Sequence, residues 1–168
     1  MSAFLPATLR PDAARLLPAN PGLDNSPALP RWFAAAYLVL ISARSLIHIL
    51  APDGGAGTIA TIDTSVAGGP NIIAIFGQWG AIQLLLAALL WALLLRYEGL
   101  APLVLLVLTA EPVLRALAGH LKPIETIGTA PGAALNWVVV PVLAVMLWLS
   151  LCPARTGADA PTATRDRG

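Results

Sequence analysis

Charged residues are scarce in this chain of 168 residues: Asp, Glu, Lys and Arg make up 11% of it, whereas 57% of the residues are hydrophobic. Soluble domains carry about 25% charged residues, so the chain lacks the polar side chains that would cover a water-exposed surface. The net charge of +1 offers no basic surface to neutralise the phosphates of a nucleic acid. The composition therefore excludes a soluble enzyme and predicts no nucleic-acid partner.

Cysteine and histidine are nearly absent as well. The one cysteine, Cys152, can form neither an internal disulfide nor a redox-active CxxC pair. The two histidines, His48 and His120, match no zinc-binding spacing. The sequence shows no nucleophile–base pair, phosphate-binding glycine loop or metal cluster. It therefore predicts no cofactor and no metal, and it favours a non-enzymatic protein without deciding the question.

Long uncharged stretches are what the sequence does contain. No charge occurs between Asp63 and Arg96 or between Glu125 and Arg155, and each gap exceeds the roughly 20 residues that cross a bilayer as a helix. Lipid offers no partners to backbone polar groups, so such segments span as helices. We therefore predict an all-α, transmembrane four-helix bundle. Its spans are expected at about residues 32–50, 71–95, 100–121 and 133–152.

The predicted bundle occupies residues 31–152. Residues 1–30 contain six prolines, and residues 153–168 are rich in Pro, Ala and Thr, so both are predicted to be disordered tails. Lys and Arg outside the spans set the orientation, because they concentrate on the cytoplasmic side. Seven lie in the tails and the second loop: Arg10, Arg15, Arg31, Arg96, Arg155, Arg165 and Arg167. Only Lys122 lies on the other side, which predicts a multi-pass protein of the bacterial inner membrane with both termini cytoplasmic.

A layer of polar residues falls in the outer half of the predicted spans, counted at 1.5 Å per residue from their outer ends. Its members are Arg44, His48, Gln78, Glu111, Arg115 and Asn136. Arg44 and His48 are four residues apart, as are Glu111 and Arg115, so each pair shares one helix face. Glu111 is the only acid inside a span and faces two arginines. Either these charges form a closed structural network, or the surplus positive charge serves a pocket for a ligand or ion.

Two short motifs resemble those of DoxX-like membrane proteins. The stretch Ser45–Asp53 is similar to the end of that family's first helix, where a small residue is followed three positions later by Lys or His, and a proline opens the loop. The stretch Phe76–Leu84 is similar to the second helix, in which Gln83 occupies the position of a mid-span Glu or Gln. The segment Glu111–Arg115 departs from the family pattern. The resemblance covers about a third of the chain.

The resemblance implies a four-helix bundle and, for some members of the family, a place as the small membrane subunit of a quinone-linked oxidoreductase. We expect a non-enzymatic subunit or binding protein whose polar layer takes a lipid, a quinone-like molecule or another small polar ligand. The alternative is a transporter or proton-handling protein that uses Glu111 with His48 or His120. The expected partners are the lipid bilayer and either a membrane-complex subunit or a second copy of the chain.

Overall fold

A computed structural model describes residues 6–23 and 26–154 of the chain. The main elements are four helices, namely α1 (Ala28–Leu50), α2 (Gly69–Arg96), α3 (Ala101–Leu121) and α4 (Pro131–Ser150). No strand occurs in either described range, which confirms the all-α prediction. A 3-10 turn, Glu98–Leu100, joins α2 to α3, whereas longer loops join the other helices in sequence.

The two ends of the molecule differ, and we name them by what they carry. The tail end holds the start of α1, the turn between α2 and α3, the end of α4 and the N-terminal residues 6–23. The loop end holds the two long connections, residues 51–68 and 122–130. These two loops contact each other, because the backbone N–H of Ile127 donates to the Thr61 carbonyl at 2.8 Å. The Thr61 hydroxyl in turn donates to the Gly128 carbonyl at 2.8 Å.

Three helical segments are long and apolar enough to cross a membrane: Ala28–Leu50, Gly69–Arg96 and Glu98–Leu121. The apolar stretch of the fourth helix, Ala134–Ser150, is shorter. The internal prolines of α3 and α4 do not end either helix. Three of the four predicted spans thus have helices suited to a membrane, while the fourth span stays a prediction.

Aliphatic side chains form a core in the half of the molecule next to the tail end. The buried positions are Ala34, Leu38 and Ile41 on α1, Ala87, Leu90 and Leu94 on α2, Ala101, Val104, Leu105 and Leu108 on α3, and Leu143 on α4. Residues three, four and seven apart lie on one helix face, so α1, α2 and α3 each contribute a single buried stripe, whereas α4 contributes Leu143. The most extensive contact joins α1 to α2, followed by that between α3 and α4, and α1 touches every other helix.

The same buried stripes become polar or small toward the loop end. Ser45 and His48 continue the stripe of α1, and Gly80 and Gln83 begin that of α2. A Cβ atom on Gly80 would lie 2.6 Å from the Cβ of His48 and 2.9 Å from the carbonyl oxygen of Ser45. Only glycine therefore allows the close approach of α1 and α2 at this level.

The N-terminal residues 6–23 differ from the disordered tail expected for residues 1–30. The backbone N–H of Asp12 donates to the Leu151 carbonyl at 3.0 Å, and Nη1 of Arg15 donates to the Cys152 carbonyl at 3.2 Å. Carbonyls at the end of a helix lack partners within the helix, so the end of α4 offers acceptors that seat this proline-rich segment. The rest of the expected tails, residues 1–5, 24–25 and 155–168, lies outside the described residues.

The beginning of α1 also differs from the prediction. The helix starts at Ala28, with Pro30 in its first turn, because a proline is tolerated where the backbone N–H has no partner within the helix. Arg31 then forms an ion pair with Glu98 of the turn between α2 and α3.

Candidate functional site

Glu111 on α3 is the centre of a polar cluster that lies where the aliphatic core gives way to the loop end. Its Oε1 accepts hydrogen bonds from Nε of Arg115 at 3.1 Å and from Nε2 of Gln83 at 3.2 Å. The same oxygen lies 3.8 Å from Nη2 of Arg44. Its second oxygen, Oε2, is buried and accepts no hydrogen bond from a described residue. A single carboxylate thus connects α1, α2 and α3.

The two arginines of this cluster have different surroundings. Arg115 donates to Glu111 through Nε and to Oδ1 of Asn136 through Nη2, at 3.3 Å, so it joins α3 to α4. Arg44 donates a hydrogen bond to no residue that the structure describes, and its Nε is buried without a partner. Its guanidinium instead lies over the ring of Trp79, 5.5 Å from the centroid, a cation–π contact. Arg44 is therefore the cation that the carboxylate satisfies least.

Gln83 extends the cluster back to α1. Its Oε1 lies 3.3 Å from the hydroxyl of Ser45, which also lies 2.8 Å from the Ile41 carbonyl oxygen. Through Ser45, Gln83, Glu111 and Arg115 the network reaches all four helices. Tyr37, two helical turns before Arg44, is within electrostatic reach of the three charges.

The charged side chains of the cluster are only partly buried. The exposed fractions are 24% for Arg44, 19% for Glu111 and 28% for Arg115. The enclosed space beside Glu111 is small, about 10 Å³, which is near the minimum for one water molecule. A larger ligand therefore has to meet the cluster from the exposed side of the arginines.

A second, larger cavity lies at the tail end, away from this cluster. It has a volume of about 290 Å³ and is lined by residues of the N-terminal segment, including Arg15 and Leu23, together with Gly99, Pro102 and Ser150. This cavity was not predictable from the sequence, because it depends on the N-terminal segment folding back onto the helices.

His48, one of the six predicted site residues, is buried at the end of α1 but belongs to a different set of contacts. Its Nδ1 lies 2.7 Å from the carbonyl oxygen of Gly54. A carbonyl only accepts, so Nδ1 carries the proton. The ring packs against Trp79 at 4.8 Å and Phe76 at 5.6 Å between centroids. His48 thus fastens the loop of residues 51–68 to α1 and α2.

The structure brings together four of the six predicted site residues: Arg44, Glu111, Arg115 and Asn136. Gln78 lies outside this cluster, because its side chain is exposed on α2, and Gln83 occupies the cluster instead. Gln83 lies three residues after Gly80 and four before Ala87 on the buried stripe of α2, so the two glutamines are told apart once the buried face of α2 is known. Gln78 does not share that face.

Two further points concern the histidines, namely the part of His120 in the proton-handling alternative and the binding of metal ions. His120 is exposed near the end of α3, and no contact in the described part of the chain joins it to Glu111. Within residues 6–23 and 26–154, no group of three or more His, Cys, Asp or Glu side chains is placed to hold a metal ion.

Comparisons of the chain with protein-family models, with curated proteins and with solved structures find no match. The resemblance to DoxX-like proteins therefore stays a prediction that rests on its motifs.

Proposed function

We propose that this chain is a multi-pass protein of the bacterial inner membrane with four spans, both termini in the cytoplasm and the loop end facing outward. Three helices have the length and composition for this, and the 20 residues of α4 extend about 30 Å, the thickness of the hydrocarbon core. Trp32 near the tail end and Trp137 near the loop end are both exposed, as expected for aromatic side chains at the two membrane interfaces.

The outward faces of the helices support the same assignment. Large apolar side chains such as Ile82, Leu85 and Leu95 are exposed along α2. Soluble monomers rarely expose contiguous apolar patches above a few hundred Å², whereas lipid covers such a surface at no cost. The DoxX-like resemblance in the first two helices agrees with a small membrane protein of this kind.

Within the membrane, we propose that the polar cluster binds the head of a lipid, a quinone-like molecule or another small polar ligand, and that the protein itself is non-enzymatic. The observation that carries this proposal is Arg44, which has no hydrogen-bond partner among the described residues. Arg44 lies six residues before the end of α1, or about 9 Å deep. A guanidinium inside the bilayer costs at least about 2.5–3.5 kcal/mol, so a ligand that gives Arg44 the hydrogen bonds that its 3.8 Å ion pair with Glu111 lacks gains binding energy.

Two competing interpretations have less support. A closed structural network agrees with Arg115, which has two side-chain partners, but it leaves Arg44 with an ion pair and a cation–π contact and no hydrogen bond to a described residue. A proton-handling protein would need a polar path across the membrane. The described core next to the tail end is aliphatic, and His48 is occupied by Gly54.

Native mass spectrometry of the detergent-purified protein tests the binding function. The wild type should retain a small amphiphilic molecule, and Arg44→Gln should lose it.

The stability of the same variants is a separate prediction. Because Arg44 gives the cluster no hydrogen bond, the free energy of unfolding of Arg44→Gln in SDS should lie within about 1 kcal/mol of that of the wild type. Glu111→Gln should instead cost about 2–4 kcal/mol, since two arginines would then lack a counter-charge in a largely buried site.

A matched control removes an arginine from the other end of the same helix. Arg31→Gln should leave the bound molecule in place, because Arg31 pairs with Glu98 far from the cluster. If the wild type retains no molecule and Arg44→Gln is as unstable as Glu111→Gln, the cluster is purely structural and the proposed function is rejected.

A further inference from the structure

We infer that the ligand of the cluster is an amphiphile with an anionic headgroup, a phosphate or carboxylate attached to apolar chains, and that Arg44 holds the anionic group. This inference rests on the proposed function and assigns a charge class to its ligand. It begins from the unequal surroundings of the two arginines. Arg115 donates to Glu111 and Asn136, whereas Arg44 has only a cation–π contact and a 3.8 Å ion pair with an oxygen that already accepts two hydrogen bonds.

The charge balance favours an anion over a neutral acceptor. Arg44 and Arg115 together carry two positive charges, and Glu111 supplies one negative charge, which leaves a surplus of one positive charge. A neutral carbonyl would accept hydrogen bonds from Arg44 but leave that charge uncompensated. An anionic oxygen accepts these hydrogen bonds and also compensates the surplus charge. Charge-assisted hydrogen bonds of this type are roughly twice as strong as neutral ones.

The geometry of Arg44 indicates which atoms meet the ligand. Nε is buried and unpaired, and the central carbon of the guanidinium, Cζ, lies over the Trp79 ring. Neither Nη atom is buried without a partner as Nε is, and about a quarter of the side chain is exposed, so we assign the contact with the ligand to the two Nη atoms. These two donors match a pair of oxygens on a phosphate or carboxylate.

The neighbours of Arg44 on its own helix favour an anion attached to apolar chains over a free one. Leu40 lies one turn before Arg44 and Ile47 one turn after it, so both share its helix face. Both side chains are exposed. They provide an apolar surface on either side of the charge, along which acyl chains can pack while the headgroup reaches the guanidinium.

Binding of defined short-chain probes to the full-length protein in a non-ionic detergent tests this inference. The anionic probe is dihexanoyl phosphatidylglycerol. Dihexanoylglycerol has the same chains and no phosphate, a short-chain ubiquinone supplies neutral carbonyls, and inorganic phosphate supplies the anion alone. The wild type should bind phosphatidylglycerol about tenfold more tightly than any other probe. Arg44→Gln should abolish the preference, Arg44→Lys should keep part of it, and Arg31→Gln should leave it unchanged.

The other outcomes separate the inference from the proposed function. Equal or tighter binding of dihexanoylglycerol or the ubiquinone, lost in Arg44→Gln, would overturn the anionic class while the binding function stands. Inorganic phosphate that binds as tightly as phosphatidylglycerol would make the ligand a free anion and overturn the amphiphile. If the wild type binds no probe more tightly than Arg44→Gln does, both the inference and the proposed function fail. The wild-type preference alone decides the charge class even if Arg44→Gln does not fold.

Discussion

In the half of the molecule next to the tail end, Leu38, Leu105 and Leu143 have no exposed surface, and side chains from all four helices meet around them. In the half next to the loop end, α3 exposes Leu114 and Leu117, and α4 exposes Leu135, Trp137 and Val138. The same four helices are thus closely packed at one end, and the α3–α4 pair is much more open at the other. The Glu111 cluster lies at the border between these halves.

This difference gives the two halves different roles. Aliphatic packing in the tail-end half supplies stability that does not depend on any charge. Because the loop-end halves of α3 and α4 are largely exposed, they leave the charged side chains of the cluster partly accessible. A polar cluster at the centre of the aliphatic core would have no such access, and one at the open end would be fully hydrated and would discriminate poorly between ligands.

The largest expected difference between the two halves is the loss of stability when one leucine of α3 is truncated in each half. Leu105→Ala removes a side chain with 0% exposure and should cost about 2–5 kcal/mol, because the cavity left in a packed core cannot fully collapse. Leu114→Ala removes a side chain that is 62% exposed and should cost less than about 0.5 kcal/mol. SDS-induced unfolding followed by circular dichroism measures both, and equal costs would contradict the division into a packed and an open half.

The second effect concerns the contact between α1 and α2 at Gly80, which is closely packed although it lies in the half of the molecule next to the loop end. We call this contact the α1–α2 seam. Gly80→Ala would place a Cβ atom 2.6 Å from His48 Cβ and 2.9 Å from the Ser45 carbonyl oxygen. Since both atoms belong to the rigid part of α1, the helices must separate, and we expect a loss of about 1–3 kcal/mol. The measurement is the same SDS-induced unfolding.

Gly77 provides the matched control for this seam, one helical turn earlier on α2. The nearest atom to a Cβ there would be the His48 carbonyl oxygen at 3.7 Å, an ordinary contact. Gly77→Ala should therefore be neutral or slightly stabilising, since alanine favours the helix. If Gly77→Ala loses as much stability as Gly80→Ala, the close packing of α1 against α2 is not confined to the level of Gly80.

Much of the fold was predictable from the sequence, because long uncharged stretches specify helices wherever they are in contact with lipid. Three predicted spans correspond to helices long enough to cross a membrane. The N-terminal segment was not predictable, since its order depends on the free carbonyls at Leu151 and Cys152. These acceptors exist only once α4 has ended beside it, and proline content alone does not reveal them.

The site was predictable where spacing along one helix determines it. Glu111 and Arg115, four residues apart, pair as expected, and Asn136 joins them from α4. The choice between Gln78 and Gln83 required knowledge of which face of α2 is buried, and depth in the membrane alone does not supply it. Likewise, the difference between Arg44 and Arg115 depends on contacts between helices, which no sequence spacing encodes.

At the loop end, Asp53 organises the first turn of the loop of residues 51–68. Its carboxylate accepts backbone hydrogen bonds from Gly55 at 2.9 Å, Gly57 at 3.1 Å and Thr58 at 2.7 Å. The bond from Thr58 and then that from Gly55 lower the pKa of Asp53 from 3.8 to about 2. Because the folded-state pKa is depressed, the charged carboxylate stabilises the loop above about pH 4, and this contribution is lost as the pH falls toward 2.

The smallest effect should therefore come from Asp53→Asn, which removes the charge and weakens the acceptor. At pH 7 we expect a loss of about 1 kcal/mol, discounted because the group is largely solvated. The difference in thermal unfolding between variant and wild type should shrink as the pH is lowered from 4 to 2. Asp63→Asn is the control. Hydrogen bonds from Ser65 lower the pKa of Asp63 as well, but Asp63 is fully exposed, and Ser65 is its hydrogen-bond donor in the described part of the chain. A difference for Asp53→Asn that stays constant with pH would mean that the side chain acts by its shape and not by its charge.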